Sequence, residues 1–311
     1  MHRKYEPIFI CTFVAILRQM KKFILAINAR IILGLSQLPL GFLYVFSDLI
    51  FILMAYIVRY RRRVIMQNLR LAFPDKSPKF YSQTCRKFYR HLSDFFIETT
   101  KNLGRSSKAV QRRIRFVNLD LLQNYFSRGQ SIILYGGHIG NWEWLNAIPK
   151  INHDITVGLY QPLASSFIDA LTRKAREKNE TLIVPSARAF KSLKNLNDEG
   201  KITLTFALGD QSPPPHGPKV WVDFMGIETA FLPGINKIAQ RLGQTLLYPH
   251  YTKTGRGRYE VEFKLIYDGE TGTYGEQIIE SYVALLENNI RQQPHIWLWS
   301  HRRWKLSRKE G

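Results

Sequence analysis

The sequence predicts an α/β protein with a largely parallel sheet, preceded by an apolar N-terminal segment. From residue 131 onward, short runs rich in β-branched and aromatic residues alternate with segments of helical periodicity, an order typical of parallel strands joined by helices. Residues 39–58 form an apolar run that is long enough to be a membrane helix. The chain has 311 residues, of which 45% are hydrophobic, so it can bury a substantial core.

The apolar run at 39–58 is PLGFLYVFSDLIFILMAYIV, which contains one charge, Asp48, and is followed at once by the basic sequence RYRRR. A hydrophobic stretch of about 20 residues beside arginines is typical of a membrane helix whose basic end faces the cytoplasm. A buried core helix is the alternative, and Asp48 argues against a full span. Two shorter apolar runs, at 8–17 and 23–40, are better suited to lying at a membrane interface.

These features divide the chain into two parts. We expect residues 1–64 to be a membrane-associated segment and residues 65–311 to form a domain on the cytoplasmic side of the membrane. A helical stripe within 81–100 predicts ordinary core packing. Residues 101–115 then contain six basic residues and no acidic one, which fits either a solvated helical face or a contact with a membrane or an acidic protein.

The alternating region defines the sheet. Strands are predicted at 131–135, 155–160, 181–184, 202–208, 245–251 and 259–266. Helices are predicted at 141–149, 166–178, 187–198, 234–242 and 274–292. In a sheet of this kind, ligands bind at the carboxyl ends of the strands.

The stretch YGGHIGNWEW, at 135–144, contains the best candidates for a functional site. His138 and Glu143 are five positions apart, so on one straight helix their side chains would not share a face. They can meet if His138 lies in a loop and Glu143 lies in the first helical turn. Gly137 would let a substrate approach the backbone, and Asn141 is a residue type that caps helices.

The pair has a chemical use. A carboxylate bonded to one imidazole nitrogen fixes the tautomer and leaves the other nitrogen to take a proton from a substrate hydroxyl. His138 is therefore a candidate general base that Glu143 would orient, and a purely structural histidine is the alternative. The spacing is not that of a zinc-binding helix and the sequence has no G-x-S-x-G motif, so we expect neither a metal site nor an acyl-serine.

The charge balance limits the possible partners. Lys and Arg total 45 against 24 Asp and Glu, and the net charge of +21 indicates an anionic partner such as nucleic acid, an acidic protein or a membrane surface. The aromatic residues fall in apolar stripes rather than between basic residues, which disfavours nucleic acid. The two cysteines, Cys11 and Cys85, are too few for a disulfide framework.

Several separated motifs resemble, in the right order, the lipid A lauroyl/myristoyl acyltransferase branch of the lysophospholipid acyltransferase superfamily. They are VRYRRRVIMQNLRLAFPDKS at 58–77, the GGHIGNWE block with its H-x4-E spacing, Gly209-Asp210-Gln211, WVDFMGIETAFLPG at 221–234 and WLWSHRRWK at 297–305. The resemblance covers most of the chain. It implies a glycerolipid-acyltransferase-like mixed sheet flanked by helices, with an N-terminal hydrophobic membrane helix.

The resemblance also implies a reaction. It implies an O-acyltransferase of lipid A biosynthesis at the inner membrane, with its catalytic domain on the cytoplasmic side, acyl carrier protein as donor, a lipid A precursor as acceptor and no cofactor. The family's general base is matched here by His138, with Glu143 as its orienter. The residues expected to bind substrate are Gly137, Asn141, Arg176, Arg188 and Asp210. The arginines would hold a phosphate or an oxyanion, and Asp210 would orient a neighbour or cap a turn.

Other functions remain open at this point. Another lysophospholipid or an aminolipid could be the acceptor. A non-catalytic membrane lipid-binding protein would explain the apolar segment and the charge, but it gives no reason for the Gly-Gly-His corner. A membrane-tethered nucleic-acid binder would explain the charge alone.

Overall fold

The structure is a computed structural model that describes residue 34 and residues 36–102, 110–161, 180–270 and 275–306. The α-helices are α1 (Leu40–Ile52), α2 (Arg62–Ala72), α3 (Pro78–Asn102), α4 (Leu119–Ser127), α5 (Ala189–Asp198), α6 (Gly234–Leu242) and α7 (Gly275–Gln292). A π-helical turn, Leu53–Ile57, extends α1, and short 3-10 helices lie at Trp142–Ala147, Ser186–Arg188 and Pro294–Ile296. The strands are β1 (Ile114–Phe116), β2 (Ile132–Gly136), β3 (Ile155–Tyr160), β4 (Thr181–Pro185), β5 (Thr203–Leu208), β6 (Val220–Phe224), β7 (Ile227–Phe231), β8 (Thr245–Gly255) and β9 (Arg258–Tyr267).

The central sheet has seven strands in the order β1-β9-β8-β2-β5-β3-β4. Its pairs are parallel except for β8 and β9, which form an antiparallel hairpin. Strand β2 lies in the middle and every one of its residues is buried, as expected for a parallel strand covered on both faces. Strands β6 and β7 form a separate antiparallel hairpin. The predicted α/β class, with a mixed and mostly parallel sheet flanked by helices, is confirmed.

Most of the predicted elements are present. The six predicted strands correspond to β2, β3, β4, β5, β8 and β9, and the predicted helices at 187–198, 234–242 and 274–292 correspond to α5, α6 and α7. The helix expected at 141–149 is a 3-10 helix over Trp142–Ala147. The helix predicted at 166–178 and the apolar run at 8–17 lie outside the described residues.

The basic stretch at 101–115 is divided between different structures. Residues 103–109 lie outside the described part of the chain, and the last two residues of the stretch belong to β1 rather than to a helical face. Arg115 there forms an ion pair with Glu260 of the neighbouring β9, with a distance of 2.8 Å from Nη2 to Oε1. Lys101, at the end of α3, donates to the backbone carbonyls of Ser36 and Leu38. Part of the predicted basic patch therefore has an ordinary structural use.

The apolar run forms α1 and its π-helical extension. Within the described ranges, Leu40–Ile57 is one helix that is long and apolar enough to cross a membrane, judged by length and composition. One face packs on α3, where Ser47 Oγ donates to Asp94 Oδ1 at 2.7 Å. One face of the helix is therefore buried against the folded domain, and the opposite face is exposed.

Candidate active site

His138 lies just past the carboxyl end of β2, in a loop that the C-terminal segment holds in place. The backbone N–H of Leu298 donates to the His138 carbonyl at 3.1 Å, and the N–H of Gly140 donates to the Ile296 carbonyl at 3.0 Å. Ile139 pairs with Trp297 in an isolated bridge between these bonds. The loop position predicted for His138 is therefore correct, and its backbone is fixed by the WLWSHRRWK motif.

Asp210 follows β5, the strand that pairs with β2 in parallel, so both side chains lie at the same edge of the sheet. His138 Nδ1 is 2.6 Å from Asp210 Oδ1, and the His138 backbone N–H donates to Asp210 Oδ2 at 2.9 Å. The indole Nε1 of Trp297 donates to the same Oδ2 at 2.8 Å. The carboxylate on the imidazole is thus Asp210, which is 72 residues away in sequence.

Asp210 is buried but stays ionised. Burial acts to raise its pKa, whereas the charge and hydrogen bonds of His138 and the indole of Trp297 lower the pKa to about 2. An ionised Asp210 accepts a hydrogen bond from the Nδ1–H group of His138. This selects the tautomer that carries a lone pair on Nε2. That arrangement is the one a general base requires.

The other ring nitrogen faces the accessible side of the site. Gln211 Nε2 lies 3.2 Å from His138 Nε2, so the amide donates to the lone pair in the absence of substrate. The His138 side chain is 17% exposed, and the edge of the Trp142 ring lies against it with centroids 5.0 Å apart. A hydroxyl that replaced the Gln211 amide would meet the basic nitrogen directly.

A second histidine lies near the site. His301 Nε2 accepts from the backbone N–H of Ser212 at 3.1 Å. Burial, with smaller contributions from the neighbouring His138 and Arg303, lowers the His301 pKa to about 4 despite the opposing charge of Asp210. His301 is therefore neutral at pH 7, and its ring nitrogen holds the chain that follows Asp210.

Gly137, between β2 and His138, lies close to two side chains from other parts of the fold. A Cβ at this position would lie 2.7 Å from Leu286 Cδ1 and 3.3 Å from the carboxyl carbon of Asp210. The sequence had suggested that the missing side chain leaves room for a substrate. In the structure, Leu286 and Asp210 lie on that side of Gly137, so glycine lets Asp210 approach the His138 backbone. The approach of a substrate to Gly137 stays a prediction.

Glu143 and Asn141 lie in the predicted turn but in different surroundings. Glu143 is in the first turn of the 3-10 helix and half-buried, and its charge acts on the buried Tyr251, whose pKa is raised mainly by burial. His138 Nδ1 is bonded to Asp210, because β5 lies beside β2 in the sheet. A further contribution of Glu143 to the site stays a prediction.

Asn141 stands at the N-cap position, yet its side chain makes no capping bond. It is fully buried and donates instead to Glu98 Oε2 at 2.8 Å. Glu98 also accepts from Tyr259 at 2.9 Å and from Tyr44 at 3.0 Å, while its backbone carbonyl accepts from Trp144 Nε1 at 3.2 Å. Burial raises the Glu98 pKa, against Lys253 and these hydrogen bonds. Glu98 was not predicted from the sequence. Its bonds to Asn141 and Trp144 hold the chain that follows His138 against α3.

Neither of the two arginines predicted to bind substrate is seen in contact with His138 in the described part of the chain. Arg176 lies outside the described residues. Arg188 ends the 3-10 helix after β4 and is exposed at the same edge of the sheet as His138. Between β4 and β2 stand β3 and β5, so the strands are about 14 Å apart. Arg188 can serve a large ligand along this edge, but it does not touch the imidazole.

The fold and the site together define a class of protein: a mixed α/β domain with a His–carboxylate pair at the carboxyl edge of its sheet, beside an apolar N-terminal helix. The chain belongs to the bacterial lipid A biosynthesis acyltransferase family, whose model matches residues 10–306. It is also similar to the lipid A biosynthesis acyltransferase of Haemophilus influenzae, with 25% identity over 202 residues, or 63% of this chain. The match spans 61% of the length of that relative. The family predicted from the sequence motifs is confirmed.

Proposed function

We propose that this protein is a membrane-associated O-acyltransferase that moves a fatty acyl chain from an acyl thioester to a hydroxyl of a lipid A precursor. The observation that carries the proposal is the His138–Asp210 pair, in which Nε2, the ring nitrogen not bonded to Asp210, faces the accessible side of the site. Membership of the family supports the acyl chemistry and the lipid acceptor.

The site suggests a direct transfer. The acceptor hydroxyl displaces the Gln211 amide and gives its proton to His138 Nε2 while its oxygen attacks the thioester carbonyl. Asp210 stabilises the imidazolium that forms, because its carboxylate accepts from Nδ1 throughout. The tetrahedral intermediate then expels the thiolate, which takes the proton back from Nε2. The products are an ester and a free thiol, and His138 returns to its starting state.

Other predicted residues have supporting roles in this proposal. Asn141 helps to hold the His138 loop in place through its hydrogen bond to Glu98. Gly137 lets Asp210 approach the His138 backbone. Arg188 is available for an acceptor phosphate farther along the edge, as a guanidinium binds phosphate in a bidentate manner. Arg176 keeps its predicted role in binding phosphate or the oxyanion.

The proposed location is the cytoplasmic face of the inner membrane, with residues 1–64 holding the protein there. Support comes from the exposed apolar side of the helix Leu40–Ile57 and from the arginines that follow it. Basic residues next to an apolar segment favour the cytoplasmic side and an anionic leaflet. The proposed partners are the membrane, the lipid acceptor and acyl carrier protein, with no nucleic acid.

Acyl carrier protein is the proposed donor, in preference to coenzyme A. The net charge of +21 would speed association with an acidic protein, an effect that salt screens over about 8–10 Å. Arg302 and Lys305 are exposed basic residues that follow the segment clamping the His138 loop, so they lie on the site's side of the protein. They are the proposed dock, at the start of a second basic stretch at 302–309. Exposed Arg112 represents the alternative, the predicted basic stretch at 101–115.

Charge reversal tests this dock. The double variant Arg302→Glu/Lys305→Glu is expected to lower kcat/KM with an acyl carrier protein donor at least tenfold, and to change kcat/KM with the same acyl chain on coenzyme A much less. The matched control is Lys191→Glu/Lys201→Glu, whose residues are exposed on α5 and just before the amino end of β5. Equal losses with both donors would place the effect at the lipid acceptor, and no loss would remove 302–305 as the dock.

The proposed function is tested most simply in cells. Deleting the gene should leave one lipid A species lighter by a single ester-linked acyl chain, and restoring the wild-type chain should return that species. A phospholipid or an aminolipid that lost the chain instead would favour the alternative acceptors. An unchanged lipid profile would favour a non-catalytic lipid-binding protein.

A further inference from the structure

The helix α1 and its π-helical extension have two faces with different surroundings. The buried face consists of Leu40, Leu43, Ser47, Phe51 and Ala55. The opposite face consists of large apolar side chains that are 38–59% exposed: Phe42, Val45, Phe46, Leu49, Ile52, Leu53 and Tyr56. These residues recur every three or four positions, so they form one continuous stripe along the helix. We call this set the apolar stripe.

The one charge of this helix is held by the folded domain. Asp48 Oδ1 accepts from Arg256 Nη2 at 2.5 Å and also from Arg90 of α3. Arg256, in the turn between β8 and β9, donates in addition to Asp94 Oδ1 at 2.8 Å, and Asp94 is buried. Asp48 thus belongs to an ion-pair cluster that joins α1, α3 and the β8–β9 turn.

The position of this cluster along the helix limits how α1 can sit in a membrane. Leu40–Ile57 has 18 residues and is about 27 Å long, close to the roughly 30 Å of a hydrocarbon core. Asp48 is the ninth residue, so a helix that crossed the bilayer would place it at the centre. Its partners Arg90, Asp94 and Arg256 would be drawn in with it, and the bilayer centre is where ionised groups are most costly.

We propose that α1 lies in the plane of the membrane, with the apolar stripe in one leaflet and the catalytic domain above it, and does not cross. This proposal rests on the membrane attachment proposed above. Leu49 is at the centre of the stripe, and Asp48, one residue earlier, is 100° around the helix axis. An in-plane helix therefore places Asp48 and its arginines at the level of the lipid headgroups, where charges remain solvated.

A basic groove beside α1 identifies the lipid that this surface fits. The groove has a volume of about 380 Å³ and is lined by Phe51, Gln83, Arg86, Lys87 and Arg90. Arg90 is already paired with Asp48, but Arg86 and Lys87 bring two further like charges, which repel each other, to the same groove. A phosphate group of an anionic phospholipid would offset that repulsion at headgroup level. The partner is therefore an anionic leaflet.

The orientation can be tested with a double-cysteine variant of the full chain. Gln37 and Arg63 are exposed at opposite ends of the helix, Cys85 is buried, and Cys11 is replaced by serine. The variant Cys11→Ser/Gln37→Cys/Arg63→Cys is reconstituted in vesicles of phosphatidylethanolamine and phosphatidylglycerol and treated with a membrane-impermeant maleimide. Labels per molecule are then counted by mass spectrometry, with Cys11→Ser as the parent that should carry none.

An in-plane helix puts both cysteines on one side, so each molecule carries two labels or none, whatever its orientation in the vesicle. A crossing helix puts them on opposite sides, so every molecule carries one label before lysis, and that result would overturn the proposal. Protein that fails to bind the vesicles at all would instead contradict the membrane attachment in the proposed function. The two failures are therefore distinguishable.

The groove is tested by competition between phosphatidylglycerol-containing and phosphatidylcholine vesicles. Arg86→Gln/Lys87→Gln should reduce the preference for the anionic vesicles by about fivefold for each charge removed. Lys191→Gln/Lys201→Gln removes the same charge from a surface far from α1 and should keep the preference. Equal losses in the two variants would show a general charge effect and contradict the groove, as would no loss in either.

Discussion

Replacing His138 by alanine is expected to lower acyl transfer by about 10²–10⁴-fold while leaving the protein folded, because a positioned general base contributes that much to rate. The backbone bonds that fix the loop do not use the imidazole, so the loop keeps its place. Asp210 would still accept from the His138 backbone N–H and from Trp297. The measurement is the initial rate of lipid acylation by purified variants at saturating donor.

The matched control for this change is His216→Ala, since His216 is an exposed histidine in the loop that follows Gly209-Asp210-Gln211. His216→Ala should retain near-native turnover. Both variants should unfold at temperatures within a few degrees of the wild type. A His138→Ala protein with near-native turnover would remove His138 as the base.

Replacing Asp210 by asparagine is expected to reduce kcat by roughly 10⁴-fold, the cost of the same exchange in a Ser–His–Asp site. The asparagine amide can donate to Nδ1, which places the ring proton on Nε2 and removes the lone pair that accepts the substrate proton. The imidazolium also loses its negative partner. The measurement is kcat of the purified wild type and Asp210→Asn at saturating donor and acceptor.

The lowered pKa of Asp210 also predicts that the free energy of unfolding depends on pH. Its pKa is lowered to about 2, below the usual value near 4, so its contribution to the free energy of unfolding is fully present above about pH 4 and is lost as the pH falls through 2. The stability difference between the wild type and Asp210→Asn should shrink over that interval.

Glu98→Gln is the matched control for Asp210→Asn, because it exchanges another buried carboxylate for an amide without touching the imidazole. It is expected to lower stability, and to lower kcat far less than Asp210→Asn does. Equal kcat for the wild type and Asp210→Asn would contradict the role given to Asp210.

Local pattern was enough to predict much of the fold. Strand β2 is a continuous apolar run that ends in two glycines, and α6 shows a clear helical stripe, so both were located to within one residue. The short strands β1, β6 and β7 were missed. Their burial depends on which element packs beside them. Arg115 is an example, because it lies in a basic stretch of sequence and yet belongs to β1, which pairs with β9.

The site was predicted in part for a related reason. His138 and its loop could be found because the glycines and the strand are adjacent to it in sequence. The partner on Nδ1 could not be assigned, because β3 and β4 separate β2 from β5 in the chain whereas β5 lies next to β2 in the sheet. An aspartate directly after a predicted parallel strand was the available signal. Glu98 gave no such signal, since its partners come from three distant elements.

We propose that this chain transfers one acyl chain from a carrier thioester to a lipid A precursor with His138 as the base. The most direct measurement incubates the purified full chain, in phospholipid vesicles, with acyl carrier protein bearing one defined acyl chain and with a lipid A precursor. We expect a product heavier by one acyl group, one free carrier thiol per ester formed, and the loss of both with His138→Ala. Thiol release without acylated lipid, or equal acylation by His138→Ala, would contradict it.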